Sequence, residues 1–233
     1  LSTRIIYIGL DDTDTADSRG TGNLARQIGA HLSEKHTILG ITRHQLLLDD
    51  RIPYTAKNSS AAICLSLSDH TNTQNIFFVV RELMLNDLQP GSDPGLCLAS
   101  EHSALRAKEY GQRAKDEIVT QEDALNLATE KNILLVGLGG NQAGVIGALA
   151  AVGLAAWGED GRYIQVGRSR KLRGLQPVPI VMETGIHAIQ TLDNQVVKRG
   201  LVKSDKLRPS RRQSRPVLYV EKDQDLWNPL KLD

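Results

Sequence analysis

Apolar positions recur along the chain with two periods, and these predict most of its elements. Ile5-Ile6-Tyr7-Ile8-Gly9-Leu10 is an unbroken apolar run of strand length and reads as a buried strand. Leu24, Ile28 and Leu32 are spaced by four and predict a helix over Asn23 to Lys35, with Gly22 or Asn23 near its cap. Thr37 to Thr42 is strand-like and closes a first β-α-β unit. Ile63, Leu65 and Leu67 alternate with Cys64, Ser66 and Ser68, the pattern of a strand with one buried face. Ile76, Val79, Val80 and Leu83 then place a helix over Gln74 to Asn86, and Gly95 to Ala99 completes a second unit as a short strand.

Further on, Ser103 to Glu117 and Thr120 to Thr129 are helical in pattern, the latter opened by a Thr120/Asp123 capping box with Asp in place of Glu. Ile133 to Val136 reads as a strand running into Gly137-Leu138-Gly139-Gly140-Asn141-Gln142-Ala143-Gly144. Ile146, Leu149, Ala150, Gly153 and Trp157 then fall on one helix face, and Tyr163 to Gly167 closes a third unit. The helix glycines favour close approach to a sheet, whereas the glycine turn before it reads equally well as an anion nest. Val178 to Met182, bounded by prolines, and Pro216 to Val220 read as the last strands. Repeated β-α-β units predict an α/β protein, and 233 residues suffice for two packed modules, with a boundary expected near residue 131.

Charge changes this picture only through its distribution. The net charge is +1, yet Arg168 to Arg215 holds 12 Lys or Arg against 3 Asp or Glu. With few aromatics interleaved, that segment reads as a phosphate-contacting surface for RNA or another polyanion, or else as an ordinary basic face. Only two cysteines occur, Cys64 and Cys97, each in an apolar stretch, which excludes a disulfide framework and a cysteine zinc site. The most membrane-like segment, Ala143 to Gly158, is shorter than the roughly 20 residues of a spanning helix. With no charged-then-apolar leader, a soluble, cytoplasmic protein without a membrane partner is expected.

The candidate chemistry sits between residues 11 and 23. Asp11, Asp12 and Asp14 follow the first strand, and Gly20-Thr21-Gly22-Asn23 opens the first helix, whose N–H groups suit an anion. Carboxylates hold Mg²⁺ and phosphate oxygens complete its shell, so the stretch reads as a seat for ATP with Mg²⁺. The competing reading is a solvated turn in which Gly20 and Gly22 merely reverse the chain. Arg43, at the end of the second predicted strand, belongs to the same sheet edge, and the polar loop Asp49 to Ser60 carries Arg51, Tyr54 and Lys57 as candidate phosphate clamps or as plain surface cations.

Ile8-Gly9-Leu10-Asp11-Asp12-Thr13-Asp14 resembles the opening motif of the archaeal tRNA agmatinylcytidine synthetases, which use ATP to attach agmatine to an anticodon cytidine. Ile52-Pro53-Tyr54, Asp93-Pro94-Gly95, Gly147 to Gly153, Thr191-Leu192-Asp193-Asn194 and Pro216-Val217-Leu218-Tyr219 are similar to family segments in the same order. The resemblance implies a kinase-like α/β domain (residues 1–130) packed with a ferredoxin-like α+β domain (131–233). It also implies ATP and Mg²⁺ at the Asp-Asp-Thr-Asp end, with Asp11, Asp12 and Asp14 as metal ligands and Thr21 in phosphate handling. Gly20, Gly22, Asn23, Arg43 and Lys57 would line the nucleotide site. Gly20-Thr21-Gly22-Asn23 and Thr55-Ala56-Lys57-Asn58-Ser59-Ser60 depart from the family pattern, so base or amine recognition is expected to differ. The family's oligonucleotide-binding fold and zinc ribbon are not expected in this chain. The function expected is that of an ATP- and Mg²⁺-dependent phosphoryl-transferring enzyme with an RNA or small-molecule acceptor. The alternatives are a non-catalytic nucleotide- or RNA-binding module and a catalytic subunit completed by a separate RNA-binding partner.

Overall fold

A computed structural model describes residues 3–15, 17–52 and 57–232. Pro53 to Ala56 therefore lie outside the described residues, and with them most of the Ile52-Pro53-Tyr54 segment and the first part of the loop before Lys57. The first strand, β1 (Thr3–Asp11), is central and flanked by β3 (Ser59–Ser68) and β4 (Gly95–Ser100), both antiparallel to it. β2 (Thr37–Gln45) pairs with the other side of β3. With helices α1 (Thr21–Leu32) and α2 (Thr73–Asn86) as connections, residues 3–100 form a β-α-β-β-α-β array in the order β4-β1-β3-β2. The first two expected β-α-β units are present, but in each a third strand lies between the two parallel strands. This is the split, ferredoxin-like arrangement, which the resemblance put in residues 131–233.

Both faces of this sheet are covered, which explains the unbroken apolar run of β1. Ile6, Ile8 and Leu10 pack with Ile63, Leu65 and Leu67 of β3 under α1 and α2. Tyr7, Ala62 and Cys64 face the opposite layer, made by α4 (Lys108–Asp116), α5 (Gln121–Glu130) and α6 (Val145–Trp157). A short α3 (Glu101–Leu105) precedes α4, so the helix expected over Ser103 to Glu117 is two pieces, broken at Arg106 and Ala107. The Thr120/Asp123 capping box forms as expected.

The sheet does not break near residue 131. β5 (Leu134–Gly137) extends the β4 edge, and β6 (Arg162–Gln165) extends the β2 edge. The third expected β-α-β unit is absent, because β5 and β6 lie at opposite sides of the sheet and α6 runs between them across β1, β3 and β4. From β6 the ladder continues through β10 (Ser210–Arg212), β11 (Arg215–Asp223), β12 (Leu226–Pro229), β9 (Leu201–Lys203) and β7 (Leu175–Pro177), with β8 (Ala188–Gln190) parallel to β11. Val181, Ile189, Val202, Leu218 and Val220 give this part its own apolar cluster. Val178–Met182, expected as a strand, is the short helix α7: Pro177 is its N-cap and Pro179 stands in its first turn, where a missing N–H costs nothing. No helix of the described residues is long and apolar enough to cross a membrane.

Candidate functional site

At the C-terminal end of β1 the chain turns through Asp12, a non-glycine residue at φ +51°, towards α1. Asp11 lies beneath α6. A Cβ on Gly147 would stand 1.9 Å from Asp11 Oδ2, so the carboxylate occupies space that only a glycine leaves open. The Asp12 N–H donates to that carboxylate, and the Asp93 N–H donates to the carboxylate of Asp12. Burial, then the neighbouring charges of Asp12 and Asp14, pushes the Asp11 carboxyl up to about 8. Burial, then Asp93 and Asp14, pushes Asp12 up to about 6. The acids thus repel one another across a partly dry site.

Asp14 turns the other way, into the first turn of α1. Its Oδ1 accepts from the Thr21 N–H at 3.0 Å and from the Thr21 hydroxyl at 2.6 Å, while Thr13 Oγ1 donates to Thr21 Oγ1 at 3.1 Å. The N-cap Gly20 brings no capping side chain, and Asp14 supplies an acceptor for the first N–H of the helix from outside it. The second glycine turn is filled in the same way: Asp93 Oδ1 accepts from the Asn141 N–H at 2.7 Å, tucked where a Cβ on Gly140 would stand 1.7 Å away. Each glycine turn holds an acid of the chain itself.

Asp11, Asp12, Asp14, Thr21 and Lys57 all line one cavity of about 220 Å³, closed by the end of α4 and the start of α6. A second cavity, of about 430 Å³, shares Asp14, Thr21 and Lys57 and adds Gly20, Gly22, Arg43 and Arg162. The expected site residues therefore gather around Thr21, with one exception. Asn23 lines neither cavity; its side chain accepts from Gln27 Nε2 at 2.9 Å. Arg51 also lines the first cavity, where Asp49 holds it through two side-chain hydrogen bonds of 2.8 and 2.7 Å. Among the described residues no group of three or more His, Cys, Asp or Glu side chains stands ready to hold a metal ion. Asp93 and Arg162 were not singled out from the sequence, because strand pairing brings them here from distant positions. The Asp93-Pro94-Gly95 segment was the available signal for the former.

No protein-family model matches the chain. Over 151 residues it is 26% identical to an uncharacterised protein of Methanocaldococcus jannaschii, a match that covers 64% of this chain and 50% of that protein. The fold defines a mixed α/β protein with a split β-α-β core. Over 64% of its length that fold is shared with the tRNA agmatidine synthetase TiaS. The complex of TiaS with its tRNA and ATP superposes with a TM-score of 0.57 at 22% identity, covering 36% of that chain. The apo enzyme gives 0.55 at 23%, covering 35% of its chain. A tRNA fluorescent labelling enzyme gives 0.56 at 24%, covering 36%. The resemblance read from the motifs therefore holds at the level of the fold. The chain spans about half the length of the curated relative.

Proposed function

We propose that the protein is a cytoplasmic, ATP-using enzyme of phosphoryl transfer acting in tRNA modification or on a related acceptor, with its reaction centred on Thr21. The observation that carries this reading is the arrangement around Thr21: Asp11 and Asp12 line the first cavity, Arg43 and Arg162 line the second, and Asp14, Thr21 and Lys57 line both. A polyphosphate needs both, a cation-holding end and a cationic clamp. The ATP-bound TiaS complex, which shares the fold, makes a nucleoside triphosphate the natural occupant.

The residues fit Mg²⁺ in donor type and in charge. Asp11 and Asp12 offer hard oxygen ligands whose mutual repulsion a divalent cation relieves. Mg²⁺ commonly takes one or two carboxylates and completes its shell with water and phosphate oxygens, so the lack of a three-acid cage is no obstacle. When bound, the ion would neutralise charge on the phosphates. Asp14 would orient the Thr21 hydroxyl towards the transferring group, and Arg43 and Lys57 would stabilise its charge from the second cavity. Ile118, Val119 and Ile146 would keep water from the first.

Calorimetric titration with a non-hydrolysable ATP analogue tests this reading. Binding should require Mg²⁺ and should weaken at least tenfold in Asp12→Asn. Should the analogue bind equally well with and without Mg²⁺, and Asp12→Asn match the parent, the enzymatic reading falls to that of a nucleotide-binding module.

A further inference from the structure

Three arginines converge beside the second cavity and take no part in the chemistry above. Arg26 of α1 donates from Nη1 to the Gly22 carbonyl at 2.7 Å, and Arg170, just after β6, donates from Nη1 to the Ile164 carbonyl at 3.1 Å. Gly22 and Ile164 are themselves in contact: a Cβ on Gly22 would stand 3.1 Å from Ile164 Cδ1. Arg208 joins them from the segment leading into β10, whose Pro209 carbonyl accepts from the Tyr163 N–H at 2.6 Å. Its Nη1 donates to the Leu207 carbonyl at 3.0 Å. Each guanidinium carries five N–H donors, and the partners found for these three are main-chain carbonyls. Among the described residues none of the three has a carboxylate as an ion-pair partner.

Such a cluster is costly without an anion. Burial, then the Arg170 charge, lowers the pKa of Arg26, and burial, then Arg170 and Arg26, lowers that of Arg208. The same holds at the cavity wall, where burial, then the charges of Arg43 and Arg208, lowers the pKa of Arg162 to about 10. The cations come from three separate elements, α1, the segment after β6 and the approach to β10, so the cluster offers several guanidinium forks rather than one.

We propose that Arg26, Arg170 and Arg208 form a second phosphate-binding site, distinct from the nucleotide cleft, that grips successive phosphodiesters of a single-stranded polynucleotide. The site reads backbone rather than bases, because it offers guanidinium forks and, among the described residues, none of the three lies over an aromatic ring. Assigning the polynucleotide as the phosphoryl acceptor rests on the proposed function; the site itself does not.

The test is fluorescence-anisotropy titration of a labelled single-stranded RNA at several salt concentrations, with ATP-analogue binding measured in parallel. Each Arg→Ala change at 26, 170 or 208 should lower the slope of log affinity against log salt by about 0.7, and the triple variant should lose about tenfold in affinity at moderate salt. Arg170→Lys, which keeps the charge, should retain the slope. Analogue binding should be unchanged in all variants, which also shows that they fold. Displacement of RNA by millimolar inorganic phosphate from the parent, and not from the triple variant, would show that free phosphate shares the site. A triple variant with the parent's affinity and slope overturns the proposal. Failure of the parent to bind the ATP analogue would instead remove the phosphoryl-transfer reading and leave the RNA result standing.

Discussion

At the scale of single residues, the acids divide the work. Asp14 is a helix cap in trans, and its 2.6 Å bond to the Thr21 hydroxyl gives that hydroxyl a direction. Thr21→Val should therefore keep the backbone bond, strand Asp14 without its O–H donor, and cost about 1 kcal/mol in chemical denaturation, with ATP turnover lost. Thr21→Ser should restore both. Asp93 has another task. Its N–H holds the Asp12 carboxylate, its carbonyl accepts from the Gly144 N–H at 2.9 Å and its carboxylate holds the Asn141 N–H, so it ties the acid pair to the start of α6. Asp93→Ala should weaken Mn²⁺ binding, read by electron paramagnetic resonance, by about 10- to 100-fold, as loss of an outer-shell partner commonly does. Asp93→Asn keeps the acceptor and should bind nearly as the parent does; equal affinity in Asp93→Ala would refute the role. The Asp-Asp-Thr-Asp cluster was legible in sequence because its members are adjacent. Asp93 was not, because only the antiparallel pairing of Asp11 with Gly95 brings it near.

At the scale of elements, α6 sets how closely a helix lies on the sheet. A Cβ on Gly9 would stand 2.0 Å from the Ala148 carbonyl oxygen, and one on Gly144 would stand 2.4 Å from the Gly95 nitrogen. Small residues on both partners let backbone meet backbone, the close-packing reading that the helix glycines suggested. The turn before α6 is filled by the Asp93 carboxylate, which accepts from the Asn141 N–H. Gly147→Ala should force the Asp11 carboxylate out or lift the helix, at a cost of about 1–3 kcal/mol. Pairing it with Asp11→Ala distinguishes this contact from a general loss of packing. The double variant should be less destabilised than the sum of the singles, because the colliding oxygens are gone; simple additivity would mean the clash is elsewhere. In α7 the pattern misled for a physical reason: prolines bound strands and also open helices, and five residues are too few for periodicity to decide.

At the scale of the whole molecule, periodicity identified strands and helices but not neighbours. A β-α-β segment looks the same in sequence whether its strands touch or admit a third between them, so the split core in residues 3–100 and the unbroken ladder through β6 and β10 were illegible. One buried polar chain joins the layers of that fold. Thr42 Oγ1 donates to His44 Nε2 at 2.7 Å, His44 Nδ1 donates to Asp160 Oδ1 at 2.8 Å, and Lys115 of α4 pairs with Asp160. Burial holds the His44 pKa below its ordinary 6.5, so the ring stays neutral in the fold. Burial alone would raise Asp160, but the hydrogen bonds and charges of His44 and Lys115 outweigh it and hold its pKa below the ordinary 3.8. Both shifts have the same sign. Below pH of about 6.5 the unfolded chain takes up a proton at His44 that the folded chain resists, and below about 4 the same holds at Asp160, so stability falls as pH falls. Urea unfolding between pH 7.5 and 5 should show the midpoint descending from about 6.5 downwards. His44→Gln, which cannot titrate, should flatten that part of the curve while lowering its plateau. A parent protein more stable at pH 5 than at pH 7.5 would mean that His44 is charged in the fold, and that the lock between β2, α4 and the end of α6 is an ion pair rather than a neutral relay.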